Sequence, residues 1–422
     1  MSHNQESEQT QQKKGFKHHA KKVHGKITKY LIERDTVFAT IWVFIFILAL
    51  GSIPLNLGIM NPVKLGLKDF DFNDITYSKL GKGEKTAVDS NIVIINIGYA
   101  NREELALMID KAAEMKPKVM ALDALFYGPR DPHQDSMLSA TFKRNKNLIA
   151  ARKLTLIGKE GDTVSVEGNY INTAHQYAHV NLFTDSLSSV RTFEPFFEDY
   201  AHKRYTFFAT AIIKAFDEKS YQKLERYGNK KVIINYSRHV GRYLLINYED
   251  LMAGNIDESA IAGKIVLFGF VDNNRDNLED KFFTPMNEQF AGKSIPDMSG
   301  IVIHANIISM ALSKDYIKKL PLWGNLLLAI IVCWIHMSFF IHYYLESHIW
   351  FHLAAKIAQV LSAILFVWLG IYLYDRYRLE VDMKMSIVVI VLAVDVIYFY
   401  EAWAVWMHKK FNFRTIFKPH HH

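Results

Sequence analysis

A single cysteine, Cys333, stands in a chain of 422 residues. It lies inside an apolar run, so no intramolecular disulfide can form and no cysteine-based metal site is available. The short signatures of common chemistries are also missing: there is no P-loop, no GxSxG, no HExxH, and no kinase or cyclase motif. Neither catalysis nor a cofactor is therefore expected of this chain. Acid is absent from Lys13 to Lys29, which holds seven lysines. A basic block of this kind can hold nucleic acid, but this one directly precedes an apolar run. Juxtamembrane lysines there meet anionic lipid headgroups and favour the cytoplasmic side, so lipid and not nucleic acid is the expected partner of Lys13–Lys29.

What is present is apolar surface, with 50% hydrophobic and 13% aromatic residues. That excludes a disordered chain. A hydrocarbon core of about 30 Å needs about 20 apolar residues in a helix. Four segments meet this, at 37–57, 322–344, 350–374 and 385–407. Aromatic rings such as Trp323, Trp350 and Trp406 sit near their ends, as interfacial rings do. The small residues of Ala49 to Ser52 are spaced like a signal-peptidase site, but the long basic segment before them reads as an uncleaved anchor. The resulting plan is a basic cytoplasmic segment at 1–36, one span, an extracytoplasmic domain at 58–321, three spans, and a cytoplasmic tail at 408–422. Lys409, Lys410, Arg414 and Lys418 in the tail agree with that orientation.

The large segment alternates strand and helix. Continuous apolar runs at Asn91–Gly98, Lys118–Phe126 and Asn147–Leu154 read as buried strands. Between them, Arg102–Met115 places Leu105, Met108, Ile109 and Ala112 on one helical face, and Gln134–Asn145 forms a second helix. Short links between alternating elements predict an α/β domain with a mainly parallel sheet. Thr206–Phe216 reads as an apolar helix, Lys231–Tyr236 and Lys264–Phe270 as further strands, and Gly300–Leu312 as a helix leading towards the second span.

Four stretches in order resemble a known family: "VMALDALFYGPRDPHQDSMLSATFKRNKNLIAA", "VIINYSRHVGRYLLINYEDLMAG", "GKIVLFGFVDNNRDNLEDKFFTP" and "MSGIVIHANIISMAL". They are similar to the segments of the type-two CHASE domain, an extracellular sensory module of bacterial cyclases, histidine kinases and related receptors. One span, the domain and then three spans is also that family's plan. The resemblance implies a multi-pass protein of the bacterial inner membrane with a periplasmic sensory domain and both termini cytoplasmic. Receptors of this type continue after the last span into a signalling domain, whereas here only a short basic segment follows. The expected function is a receptor-like sensory subunit acting on a membrane partner in trans, such as a signalling enzyme or an envelope complex. The alternative is a scaffold subunit of an inner-membrane complex that uses the domain for protein contacts. Homo-oligomerisation is compatible with both.

Ligands of open α/β sheets bind beyond the carboxyl ends of strands. Asp123 follows one predicted strand, and Asp272, Asn273 and Asn274 follow another. Asp280 and Thr284 lie on the next loop, and His304 and Asn306 in the apolar segment after it. These are the candidate ligand-binding residues. For Asp123 and the two asparagines the bland alternative is turns fixed through their own backbones; for His304 it is a satisfied core histidine. Asp131 and Asp135 flank Pro132, which reads as a helix-capping loop and not as a metal site. His336, Lys356, Asp395 and Glu401 fall within the spans, where ionisable groups are costly and face partners. Counting turns puts His336, Lys356 and Glu401 about 10 Å from the cytoplasmic interface. Equal depth lets Lys356 pair with Glu401 beside His336, the bland alternative being that each snorkels separately to the headgroups, with Asp395 near mid-bilayer against the bundle or a partner's helix.

Overall fold

The computed structural model describes residues 29–52, 77, 87–157, 163–168, 170–185, 189–274, 276–287, 295–346 and 348–417. They fall into two units, one of Met1–Gly58 with Lys319–His422 and one of Ile59–Lys318. Of the basic block only Lys29 is among the described residues, and residues 53–57 of the first predicted span lie outside them. In the first unit helix α1 spans Arg34–Ser52, and its last turn contains Ala49–Ser52.

The second unit is built on a seven-stranded sheet. Its strands are β1 (Ile92–Asn96), β2 (Val119–Leu122), β3 (Leu148–Ile157), β4 (Thr163–Glu167), β5 (Gln176–His179), β6 (Leu244–Ile246) and β7 (Ile265–Gly269). The spatial order is β6-β1-β7-β2-β3-β4, and β5 also pairs with β3. Every pairing is parallel except β3 with β4. β1, β2 and β7 contain almost only Ile, Val, Leu, Met, Ala and Phe, as strands covered on both faces must. β7 arrives late in the chain and sits between β1 and β2, with Val93 opposite Val266 and Leu267 opposite Ala121.

Helices α2 (Arg102–Glu114) and α3 (Pro132–Arg144) cover one face together with α6 (Tyr248–Met252). α4 (Phe208–Phe216), α5 (Glu218–Glu225) and α7 (Gly300–Ser313) cover the other. Asn101 and Glu104 form a capping box on α2, and Asp131 caps α3 with Pro132 at its first position. Asp135 of that loop forms an ion pair with Arg102, which ties the two helix starts together. The capping reading of Asp131 and Asp135 therefore holds. The strand predicted over Lys231–Tyr236 is reduced to Val232–Ile233, which pairs antiparallel with Thr192–Phe193 away from the main sheet. Its next residues serve as ties instead: the Tyr236 hydroxyl donates to the Val190 carbonyl at 2.7 Å.

α7 is buried along almost its whole length and lies close to β7. A Cβ on Gly269 would stand 2.5 Å from the Ile301 Cβ, so only glycine permits this approach.

In the first unit α1 packs with α8 (Leu322–Glu346) and α10 (Met383–Phe411), and α9 (His348–Tyr377) packs with α8 and α10. All four helices are long and apolar enough to cross a membrane. Ala39, Val43, Ala329, Cys333, Met337, Ala393 and Ile397 form the shared core. Asp35 is 1% exposed. Its carboxylate accepts from the Tyr400 hydroxyl of α10, from Thr415 Oγ1 at 2.9 Å and from the Ile416 N–H at 2.9 Å. Arg34 donates to the Arg414 carbonyl and lies 4.3 Å over the Phe413 ring, and Phe417 is buried against Tyr344 and Tyr400. The segment after α10 thus folds back onto the bundle.

Two outcomes follow from this packing. Gly269→Ala should destabilise the full chain by about 1–3 kcal/mol through overpacking. Gly128→Ala, with open space at its Cβ, should stay within about 0.5 kcal/mol in the same thermal unfolding measurement. Asp35→Ala should cost about 1–3 kcal/mol for each buried group left unpaired. It should also open the chain to trypsin at Arg414, read by mass spectrometry of the released peptide.

Candidate functional site

The carboxyl ends of β1, β7 and β2 lie side by side and their loops are stitched together. Asn96, the last residue of β1, accepts with Oδ1 from the Gly98 N–H at 3.1 Å and from the Val271 N–H at 3.0 Å. Asp123, directly after β2, donates its N–H to the Phe268 carbonyl of β7 at 2.8 Å. Within the following loop Asp272 accepts from the Asn274 N–H at 2.8 Å and from Asn277 Nδ2 at 2.7 Å. Asn274 accepts in turn from the Asp276 N–H at 3.1 Å, and its carbonyl receives Lys281 Nζ. Tyr99 packs on Phe270, and its hydroxyl lies 3.1 Å from both Glu279 Oε2 and Asn277 Nδ2. Asp272 and Asn274 therefore shape the turn, which for Asn274 is the bland reading, and Asn273 is exposed beside them.

Asp280 ends this loop in the left-handed region, with φ 51°. Its carbonyl accepts the Gly300 N–H at 3.0 Å, at the first residue of α7. Its carboxylate oxygens lie 3.1 and 3.2 Å from the place a Gly300 Cβ would take, so a larger residue there would displace them. Ser299, at the N-cap position, makes no side-chain cap bond, and the Asp280 carboxylate provides negative charge at the positive end of the helix. Asp280 is exposed as a residue, but desolvation of its carboxyl by the surrounding chain pushes its pKa up to about 6, against the pull of the Gly300 N–H, and Glu279 adds to the rise. Asp123 is raised well above the usual carboxylate range, first by burial and then by the charge of Asp280. Asp123 and Asp280 thus stand near enough at the end of the sheet for the charge of Asp280 to oppose ionisation of Asp123.

Thr284 is placed beside them in the chain but bonded elsewhere. Its N–H and hydroxyl donate to Asp297 at 2.8 and 2.5 Å. Desolvation of its carboxyl raises Asp297 to about 6 despite those bonds, although the residue as a whole is exposed. Sequence reasoning did not single out Asp297, Asn96 or Tyr99. The signal available was their position, at a strand end or just before α7. Asn306 is a brace: its Oδ1 accepts the Ser237 and Arg238 N–H groups, both at 3.1 Å, and its Nδ2 donates to the Arg238 and Val302 carbonyls. His304 is 3% exposed and packs on Phe208. It is a core histidine, as the bland alternative has it, but neither ring nitrogen makes a well-formed hydrogen bond among the described residues. Burial lowers its pKa to about 4, against a smaller upward pull from the Val180 backbone.

The polar groups of the apolar helices pair differently from the expectation. Lys356 meets Asp395 at 3.8 Å, and Glu401 accepts from the Tyr344 hydroxyl. His336 Nδ1 lies 2.8 Å from the Val332 carbonyl of its own helix. The helix register explains the correction. Gln359 of α9 donates to the Ile390 and Val391 carbonyls of α10, and His352 stacks on Tyr398. In that antiparallel register Asp395, and not Glu401, lies across from Lys356.

The carboxyl pair makes a pH prediction. A carboxyl group raised in the folded state keeps its proton while the unfolded chain loses it. Its contribution to stability therefore falls as pH rises from about 4 to about 6, then levels. His179 and His304, both lowered to about 4 by burial, act in the opposite sense over the same window. The difference between proteins is thus more informative than the absolute slope. Asn keeps the left-handed backbone accessible. The melting temperature of Asp280→Asn should match that of the wild type near pH 4 and exceed it increasingly up to about pH 6. A constant difference across pH would contradict the assignment.

A family model described as the CHASE2 domain matches residues 84–339. No curated protein and no solved structure matches the chain. The matched stretch contains the described sheet, the carboxyl edge and α7 together with the first part of α8, and the chain belongs to the CHASE2 domain family, a family of sensory domains.

Proposed function

We propose that this chain is a receptor-like sensory subunit of the bacterial inner membrane that acts on a partner protein in trans and carries out no catalytic step itself. In this reading 58–321 is periplasmic and both termini are cytoplasmic. The lysine block and the basic residues after α10 support that orientation. The observation that carries the proposal is the double role of Asp280. It is one half of the carboxyl pair and also holds the first turn of α7. A cationic ligand group, or a proton, that changes the charge of the pair changes the electrostatics at the start of that helix.

The chain runs from the end of α7 at Ser313 to the start of α8 at Leu322 through a short link. Asn325 in the first turn of α8 accepts the Asp382 N–H at 3.1 Å and donates to the Leu320 carbonyl at 3.0 Å. A shift entering α8 would therefore also reach the start of α10. The segment after α10 is held on the bundle by Asp35. A partner would accordingly read the bundle and its docked segment.

Affinity purification of the tagged full chain in mild detergent, followed by mass spectrometry, tests this. A signalling enzyme should be recovered, and its yield should differ between wild type and Asp280→Asn. Recovery of a secretion, motility or wall-synthesis machine in equal yield from both would instead identify a scaffold subunit.

A further inference from the structure

The Lys356–Asp395 pair has a feature that pairing within one chain does not account for. Its side chains are 58% and 56% exposed. Along α10, Asp395 stands about 18 Å from Met383 and about 24 Å from Phe411 at 1.5 Å per residue. That is deep within a hydrocarbon layer about 30 Å thick. The pair also points away from its own bundle. α9 turns Phe351, Ala355 and Gln359 inward, and all three are buried. Lys356 lies at the outer edge of that face, beside the exposed Leu353, Ile357 and Val360, while the exposed Val388, Val391 and Phe399 flank Asp395 on α10. Lipid tails supply no hydrogen bonds to the remaining ammonium protons and carboxylate lone pairs. An ion pair left against them gains less from attraction than it loses in desolvation.

The arrangement is complementary to itself. Lys356 and Asp395 stand side by side on one face, at one depth. A two-fold axis along the membrane normal preserves depth and reverses the order of the two residues across the interface. Lys356 of one copy then meets Asp395 of the other. We propose that a second copy of this chain covers the α9–α10 face, closing a ring of two lysines and two aspartates in alternating order. The flanking Val360 and Val391 are small enough for the helices to approach closely. The interface does not depend on what the sensory domain detects.

Two differently tagged full-length chains, co-expressed and purified in mild detergent, provide the test. Wild-type chains should recover one another. Lys356→Asp makes the face acidic and Asp395→Lys makes it basic, so each variant alone should lose self-recovery by roughly tenfold or more, the change expected from about 1.4 kcal/mol. Mixing the two variants should restore recovery, which a folding defect would not do. In a Cys333→Ala background that leaves the charges intact, Val391→Cys should cross-link between copies in lipid nanodiscs, and Ile335→Cys on α8 should not. Self-recovery of either single variant at the wild-type level would overturn the proposal, as would a mixture that stays apart while both variants unfold cooperatively. So would equal cross-linking at the two positions, or a wild type that is monomeric in lipid or bound there only to a different membrane protein.

Discussion

The first turn of α7 constrains the rest of the domain. This helix has an apolar sequence with few side chains suited to fix its ends, and its N-cap serine makes no cap bond. It is held instead by the Asp280 carbonyl at its first N–H and by the close approach of Ile301 to Gly269 on the central strand β7. One contact fixes the helix over the sheet, and the other fixes its start at the sheet's carboxyl edge. The Asp123–Asp280 pair lies at that same edge. Desolvation raises both pKa values there, and the charge of Asp280 raises that of Asp123 further. The place where a sheet of this kind takes a ligand is also the place where the helix leading to α8 begins.

The membrane unit is organised by two other carboxylates. Asp35 is buried and gathers the start of α1, Tyr400 of α10 and the segment after α10 into one hydrogen-bonded knot. Asp395 is exposed and pairs with Lys356 across a seam set by Gln359. A buried acid with several donors fixes a structure, whereas an exposed one in an apolar layer calls for a further partner.

The strands and helices with strong periodicity were legible in the sequence. β1, α2, β2 and β7 lie within their predicted stretches and α3 starts two residues before its own, because each buries a full face. The place of β7 between β1 and β2 was not legible, since neighbours in a sheet are set by tertiary packing of distant segments. The Lys231–Tyr236 stretch misled because its β-branched residues resemble a strand while its tyrosine and asparagine serve as ties. Among the site residues, Asp123 and Asp280 were found by their position after strands. Their opposition depends on a left-handed turn at Asp280 that no local pattern announces. The Lys356–Glu401 expectation failed because depth alone was matched. The register of α9 on α10 decides the partner, and Gln359 sets it.

The central claim is that the charge state of the carboxyl pair is felt along α7 and on into the apolar helices. Hydrogen–deuterium exchange on the full chain in lipid nanodiscs, comparing wild type with Asp280→Asn at neutral pH, measures this most directly. The account predicts altered protection through Gly300–Ser313 and into the first turns of α8. A change confined to residues 272–287, with α7 and α8 exchanging as in the wild type, would contradict it.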